Sequence, residues 1–245
     1  MIIDTHCHFD LYENPKEIID ESEKKGIITI GMTNLPSHFK IGYTHVKNYK
    51  KVRLALGMHP LMASEHEKEF NLFKKYLNYT SYIGEIGLDF SNEGITTKPI
   101  QLLSFEKVLK ELEGRSKILS IHSRKAEKEV LDLLKKYKIK NAIFHWYTGS
   151  LGVMDEIISS GYYFSINPAM INSVSGRKVI GRIDKNRILT ESDGPFIRLK
   201  NREIKPKDIK LVIEYLSNIY SETPNAIERM IKKNFDRVIF NLKKG

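Results

Sequence analysis

Residues 4–9 read D-T-H-C-H-F and directly follow the apolar opening of the chain, residues 1–3. Alternate side chains of a β-strand point to the same face, so a strand here places His6 and His8 together and turns Cys7 away. Two imidazoles side by side at the end of a strand are half of a metal site. Two histidines also occur by chance in short strands, so this interpretation depends on partners further along the chain.

Strand-like segments alternate with helix-like segments along the whole chain. The predicted strands are residues 1–5, 27–32, 52–56, 81–85, 117–121, 142–144, 162–166 and 187–191, and the clearest predicted helices are 15–25, 65–77, 207–220 and 224–235. The strand tips recur every 22 to 37 residues, a spacing that accommodates one strand, one helix and two loops. Eight such units predict an α/β protein in which residues 1–245 form a single-domain (β/α)8 (TIM) barrel.

Composition limits the class of protein. The 245 residues are 41% hydrophobic, which is enough for one large core. No apolar run is long enough to span a bilayer, and the start of the chain has no signal-peptide pattern. The single cysteine, Cys7, excludes an intrachain disulfide and is typical of a reducing compartment, so we expect a cytoplasmic protein with no membrane contact.

The charge balance is basic. Forty Lys and Arg residues against 30 Asp and Glu residues give a formal net charge of +10. This excess favours a polyanionic partner such as nucleic acid. Lysine-rich drift in an AT-rich genome explains it equally well, since Ile, Asn and Lys are all frequent.

Polar side chains follow six of the eight predicted strands. They are His6 and His8 after the first, His59 after the third, Glu85 after the fourth, His122 after the fifth, His145 after the sixth and Asp193 after the eighth. The C-terminal ends of all barrel strands meet at one rim, where barrel enzymes carry out their chemistry. Any one of these residues could be a hydrogen-bonded core residue, but so many on one rim predict a site.

Imidazoles and carboxylates without thiolates form a ligand set that suits Zn²⁺, Mn²⁺ or Mg²⁺ rather than a structural zinc knuckle. Six ligands are too many for one ion with an open position, and they suit two divalent ions that share a bridging carboxylate. Asp193 could also take the proton of the attacking water. The expected assignment is His6, His8 and Asp193 to one ion, His122 and His145 to the other, and Glu85 between them.

Six short motifs carry a family resemblance over the whole chain and in the right order. They are H6-C-H8-F-D, G57-M-H-P, G84-E-I-G-L-D-F, I121-H-S-R, F144-H-W-Y-T-G and T190-E-S-D-G-P. With them the chain resembles the TatD family, metal-dependent deoxyribonucleases of the amidohydrolase superfamily with a TIM barrel. The resemblance implies the same six metal ligands, a DNA substrate whose phosphate contacts His59, and no carboxylated lysine, because Glu85 holds the strand-four position.

Two motifs depart from the family pattern. H-W-Y-T-G stands where H-x-F-x-G is usual, and E-S-D-G-P stands where E-T-D-x-P is usual. Both departures keep the ligand and change its neighbours, so they bear on the substrate rather than on the metal. Four stretches (118–124, 145–150, 165–170 and 189–196) also resemble the TatD-type component of Qat anti-phage defence systems. That narrower resemblance implies a role in bacterial defence beside protein partners.

Residues near the rim could bind nucleic acid. Arg124 could bind a phosphate bidentately or be a surface residue at the start of a helix. Trp146 could stack on an unpaired base or pack under the rim. Arg198, Lys200 and Arg202 begin a basic loop, continued by Lys205 and Lys207, that could follow a phosphate backbone or be a solvated surface.

We therefore favour a two-metal phosphodiesterase that acts on DNA from a free single-stranded end, with Asp193, Glu85 and His59 in the chemistry. The same ligands serve an ester carbonyl equally well, so deacylation of D-aminoacyl-tRNA, an activity also found among TatD-like proteins, is an alternative. A third hypothesis is a low-turnover binding component of a defence complex. An absent ligand would favour it, and all six ligands are present.

Overall fold

The structure, a computed structural model, describes residues 1–242. Nine short parallel strands line its centre: β1 (Ile3–Cys7), β2 (Ile28–Gly31), β3 (Val52–Leu54), β4 (Leu56–Met58), β5 (Tyr82–Gly87), β6 (Ile118–His122), β7 (Ala142–His145), β8 (Tyr163–Ile166) and β9 (Ile188–Thr190). The strands pair in the orders β1-β2-β3 and β4-β5-β6-β7-β8-β9, each next to its neighbour in the chain. This is the predicted (β/α)8 barrel, in which β3 and β4 together take the third position.

The predicted third strand, 52–56, is split at Ala55. Val52 pairs with Thr29 of β2, whereas Leu56 pairs with Ile83 of β5, so the segment changes partners within five residues. Thr33 connects the two halves, since its hydroxyl donates to the Ala55 carbonyl (2.9 Å) and accepts from the amide of Gly57 (3.0 Å). The sequence pattern could not show this break because both halves are apolar.

The barrel closes between its first and last strands without a regular ladder. The hydroxyl of Thr5 donates to the Thr190 carbonyl (3.0 Å), and the amide of Asp193 donates to the His6 carbonyl (3.0 Å). The amide of His8 donates to the carbonyl of Gly194 (2.8 Å). These contacts place the segment after β9 directly against His6 of β1 and His8, which follows β1.

Ten α-helices accompany the strands within residues 1–242. They are α1 (Pro15–Lys25), α2 (Pro36–Val46), α3 (His66–Tyr76), α4 (Lys98–Leu112), α5 (Glu127–Lys136), α6 (Leu151–Ser159), α7 (Pro168–Asn172), α8 (Val174–Arg182), α9 (Lys210–Tyr220) and α10 (Pro224–Leu242). Helix α1 has the predicted bounds because Asn14 caps its first turn and Gly26, at φ 67°, ends it. Sequence patterns missed α2, α6, α7 and α8. They also ended α10 at residue 235, seven residues before the last residue of the helix.

A two-stranded antiparallel hairpin, β10 (Arg198–Leu199) with β11 (Arg202–Glu203), follows the barrel's last strand. It contains the first part of the predicted basic loop. None of the helices within residues 1–242 combines the length and the apolar character needed to cross a membrane.

Candidate metal centre

The carboxyl ends of the strands bring the predicted ligands together. His6 lies within β1, and His122 and His145 are the last residues of β6 and β7. Glu85 was predicted at a strand tip, but β5 runs on to Gly87, so its side chain lies deeper in the barrel. The register of β5 against β6 shifts between Ile83 and Ile86, which accommodates this carboxylate beside its neighbours.

Glu85 is the centre of the cluster, and its side chain is 2% exposed. One of its oxygens, Oε1, lies 2.6 Å from Nδ1 of His122 and 2.8 Å from Nε2 of His145. The other, Oε2, lies 3.1 Å from Nε2 of His8 and 3.5 Å from Nε2 of His6. Nε2 of His59 also lies 3.4 Å from Oε2. The two oxygens therefore face different histidines, which is the arrangement expected of a carboxylate that bridges two cations.

Asp193 completes the first half of the cluster. Its Oδ1 lies 3.6 Å from Nε2 of His6 and 4.0 Å from Nε2 of His8, and these two nitrogens are 3.1 Å apart. Ligand atoms of all three residues lie within 4.8 Å of one another, so they could hold one ion. The turn after β9 fixes the carboxylate here, with Asp193 in the left-handed region at φ 47°.

Hydrogen bonds on the outer ring nitrogens leave the inner nitrogens available to a metal. Nδ1 of His6 pairs with the hydroxyl of Ser120 (2.8 Å), and Nε2 of His122 donates to Oδ2 of Asp89 (2.8 Å). A proton on the outer nitrogen puts the ring lone pair on the inner one, as in known metal-binding histidines. The donor set thus fits hard or borderline divalent cations.

In His59 the two ring nitrogens have the opposite roles, with the proton on the nitrogen that faces Glu85. Its Nδ1 accepts from the backbone amide of Leu61 (3.2 Å), so in the neutral ring the proton is on Nε2, 3.4 Å from Oε2 of Glu85. A protonated nitrogen donates a hydrogen bond and cannot bind a metal. This geometry therefore suits His59 to the predicted contact with a substrate phosphate and not to the role of a seventh metal ligand.

Burial and charge act against each other on the ionisable groups. Burial alone would raise the pKa of Glu85, but the surrounding imidazoles hold it well below its usual value. Burial lowers the pKa of His6, and the neighbouring His145 lowers it further, which keeps His6 neutral. The pKa of His145 is raised despite burial, chiefly by the charge of Glu85.

Buried carboxylates are crowded here. Burial raises the pKa of Asp193 well above its usual value, and the negative charges of Glu191 and Glu85 raise it further. Together they outweigh the positive charge of His145, which lowers this pKa. The pKa of Asp4 is raised to about 7, again chiefly by burial. Bound cations would offset this repulsion, which is a second sign that the residues fit metal ions.

A cavity of about 430 Å³ opens above the cluster. Arg124 and Trp146, both predicted to bind substrate, contribute to its lining, and Nη1 of Arg124 lies 3.5 Å from Oε1 of Glu93. Phe196, which sequence reasoning missed, is 60% exposed there, and its ring centroid lies 5.0 Å from that of His8. This cavity is the place where a substrate can reach the cluster.

The basic loop lies outside the lining of this cavity. Arg202 forms a bidentate ion pair with Asp208 (2.7 and 2.8 Å), and Lys205 and Lys207 pair with acidic residues of α1. Within residues 1–242, Arg198 and Lys200 form no ion pair with a carboxylate. A role of the loop in binding DNA thus depends on those two side chains.

Three residues that support the cluster had no assigned role in the sequence reasoning. Asp89 belongs to the quoted motif G84-E-I-G-L-D-F, so its place beside Glu85 was a usable signal. Glu191 likewise belongs to the quoted motif T190-E-S-D-G-P, whereas Ser120 is an ordinary strand residue in the sequence. Their contacts with the histidines and with Trp146 depend on how neighbouring strands pair, which one sequence does not specify.

A barrel whose rim buries a histidine–carboxylate cluster fitted to divalent cations defines a metal-dependent enzyme of the (β/α)8 class. The family model described as TatD related DNase matches residues 3–240, and the chain belongs to this family. It is accordingly a TatD-type metal-dependent hydrolase.

Relatives and solved structures agree with this assignment. An uncharacterized metal-dependent hydrolase of Methanocaldococcus jannaschii is 28% identical over 244 residues, which cover 95% of this chain and 94% of the relative. Human deoxyribonuclease TATDN3 is 23% identical over 238 residues, or 89% and 87% of the two chains. The crystal structure of the TatD homologue YJJV from Escherichia coli K12 superposes with a TM-score of 0.86 at 22% identity, covering 98% and 97%, and so shows the fold.

Proposed function

We propose that the protein hydrolyses phosphodiester bonds of DNA with two divalent ions, Mg²⁺, Mn²⁺ or Zn²⁺, starting from free single-stranded ends. The observation that carries the proposal is the position of Glu85, whose two oxygens face different histidines. His6, His8 and Asp193 would hold one ion, and His122 and His145 the other. Bound there, the ions would supply charge to offset the phosphate and to lower the pKa of water.

The chain's own groups supply the remaining steps. The Asp193 carboxylate faces the first half of the cluster and accepts the proton of the attacking water. The water oxygen bonds to phosphorus as the bond from phosphorus to the leaving sugar oxygen breaks, and that oxygen takes a proton from solvent. Nε2–H of His59 donates to a phosphate oxygen. Arg124 neutralises the phosphate after leaving Glu93, a small cost because both side chains are more than half exposed.

The size of the cavity supports a single-stranded substrate. A volume of about 430 Å³ is in the range of small-molecule sites and accommodates a nucleotide unit rather than a duplex. The exposed ring of Phe196 at its mouth offers a surface on which an unpaired base can stack.

Replacing Asp193 with Asn tests this function. Asn keeps the shape and one ligand oxygen but cannot accept a proton, so we expect hydrolysis to slow by about 10²–10⁴ while DNA binding survives. The measurement is cleavage of end-labelled single-stranded oligonucleotides with each of the three metals, with metal content determined in parallel.

The matched control is Asp236→Asn, which removes an exposed carboxylate on α10 that pairs with Lys232. It should cleave like the unmodified protein. Cleavage by Asp193→Asn at the same rate would refute the role of Asp193 as base. If the protein hydrolyses D-aminoacyl-tRNA and no oligonucleotide, its substrate is a carboxylic ester and not DNA.

On the resemblance to Qat components, we further propose that the protein acts in bacterial anti-phage defence together with protein partners. Plaque counts on cells that carry the complete defence locus test it. We expect Asp193→Asn in this chain to abolish protection, and undiminished protection would separate defence from hydrolysis.

A further inference from the structure

A second cavity, of about 240 Å³, adjoins the one above the metal ligands. It lies between residues 146–151, which follow β7, and the segment formed by α7 and α8. Trp146 and Thr148 line both cavities, so these two side chains are the boundary between them. A substrate that enters the first cavity can therefore continue into the second by passing Trp146.

The lining of the second cavity combines an apolar floor with a polar rim. Tyr147, Met170 and Val179 are buried and form the floor. Ser175 and Lys178 are exposed at the rim. An aromatic and aliphatic floor suits a flat ring, whereas an ammonium group beside hydroxyls suits a phosphate.

Lys178 is free to bind an anion. Within residues 1–242 it forms no ion pair, unlike Arg182 one turn later on α8, which holds Asp155 bidentately. No carboxylate residue lines the cavity beside it. Its positive charge is thus uncompensated at the rim of the second cavity.

Trp146 is a fixed boundary. Its backbone is in the left-handed region at φ 36°, a conformation that a bulky residue rarely adopts. Its amide donates to Oε1 of the buried Glu191 (3.0 Å), which fixes the main chain at this point. An indole on a fixed main chain, between two cavities, offers a stacking surface that is organised before substrate arrives.

We propose that the second cavity binds the nucleotide adjacent to the scissile phosphodiester, with its base against Trp146 and its outer phosphate at Lys178. This inference rests on the proposed function and narrows the substrate from any phosphodiester to a single strand with at least one nucleotide and a further phosphate beyond the cut. Short diesters that cannot reach past Trp146 are then poor substrates for a reason other than the metal chemistry.

The test compares two substrates for each variant: bis(p-nitrophenyl) phosphate, which fits the first cavity, and a series of thymidine oligonucleotides of increasing length. The measured quantity is the ratio of kcat/KM for the oligonucleotide to kcat/KM for the small diester. We expect this ratio to rise in the unmodified protein when the oligonucleotide becomes long enough to enter the second cavity. Lys178→Ser, and separately Ser175→Trp, which fills the cavity from its exposed rim, should lower it about 10-fold.

Lys140→Ser is the matched control, since Lys140 is a lysine of a different cavity, lined by residues such as Arg115 and Asn141. It should leave the ratio as it is. An unchanged ratio in Lys178→Ser together with no length dependence would overturn the proposal.

Failure of the proposed function gives a different result. In that case the unmodified protein cleaves neither substrate with any of the three metals. Fluorescence anisotropy with a labelled thymidine oligonucleotide then tests separately whether the second cavity binds a nucleotide. Weaker binding by Lys178→Ser than by Lys140→Ser supports it, and equal binding rejects it.

Discussion

Asp89 shows how one side chain outside the ligand set controls a ligand. Its Oδ2 accepts from Nε2 of His122, and its Oδ1 accepts from the amide of Ser91 (both 2.8 Å). The two contacts overcome the effect of burial and hold the pKa of Asp89 at about 2, so the group is a carboxylate at any working pH. Only a carboxylate accepts on both sides at once, and its hold on Nε2 leaves Nδ1 of His122, on the side of Glu85, for a metal ion.

Asp89→Asn should weaken metal binding by about 10–100-fold, the usual effect of removing such an orienting group. The amide has one accepting atom, so either His122 or the Ser91 amide meets an NH₂ group and loses its hydrogen bond. Calorimetric titration with Mn²⁺ or Zn²⁺ measures the change.

Glu93→Gln is the control, because Glu93 lines the same cavity and pairs with Arg124 rather than with an imidazole. Its metal affinity should stay that of the unmodified protein. Equal affinities in Asp89→Asn and Glu93→Gln would mean that His122 needs no partner on Nε2.

At the scale of the elements, Glu191 connects the ends of three neighbouring strands. It follows β9, and it accepts from the Trp146 amide after β7 (3.0 Å), from Nδ2 of Asn167 after β8 (2.9 Å) and from the hydroxyl of Ser165 in β8. It is fully buried, so all of these donors depend on one carboxylate. The connection also fixes the backbone that carries His145.

Glu191→Gln should lower the free energy of unfolding by about 1–3 kcal/mol, because the NH₂ group of Gln faces buried donors and leaves one of them unpaired. Thermal or urea unfolding measures it. Ser165→Ala, which removes one donor and keeps the carboxylate, should have a smaller effect. A Gln variant as stable as the Ala variant would show that the strand ends do not depend on this charge.

The sequence predicts the positions of the strands and helices better than it predicts the contacts between them. The tips of the strands could be predicted because apolar runs recur at barrel spacing. The positions of these tips were sufficient to assign His6, His122, His145 and Asp193 to one site. The break at Ala55 could not be predicted, because it depends on a change of partner strand. The place of Phe196 follows from a turn after β9 whose direction is set by barrel closure.

At the scale of the whole molecule, the positive charge is distributed less favourably for DNA than the sequence indicated. The hairpin β10–β11 follows β9 in the chain, but its Arg202 is already paired with Asp208. The pKa of Asp208 is lowered by Arg202 despite its burial, which shows how strongly the two charges interact. Arg198 and Lys200 are the cations of the hairpin that remain for a phosphate backbone.

Replacing Arg198 and Lys200 together with Ser should therefore reduce the slope of log K against log salt by about 1.4, since each lost phosphate contact on a single strand changes it by about 0.7. Arg202→Ser should leave the slope as it is and lower stability instead. Binding of a labelled single strand, measured at several salt concentrations, separates the two. A smaller slope in Arg202→Ser would mean that its ion pair opens to bind DNA.

The closure of the barrel between β1 and β9 also determines when the enzyme comes into existence during translation. His6 and His8 leave the ribosome before Asp193, which follows 187 residues after His6. Until then the first strand has no neighbour on its β9 side, and half of the metal cluster lacks its carboxylate. A polypeptide released before residue 193 contains histidines but no complete centre. We therefore expect interrupted synthesis to yield fragments without hydrolase activity.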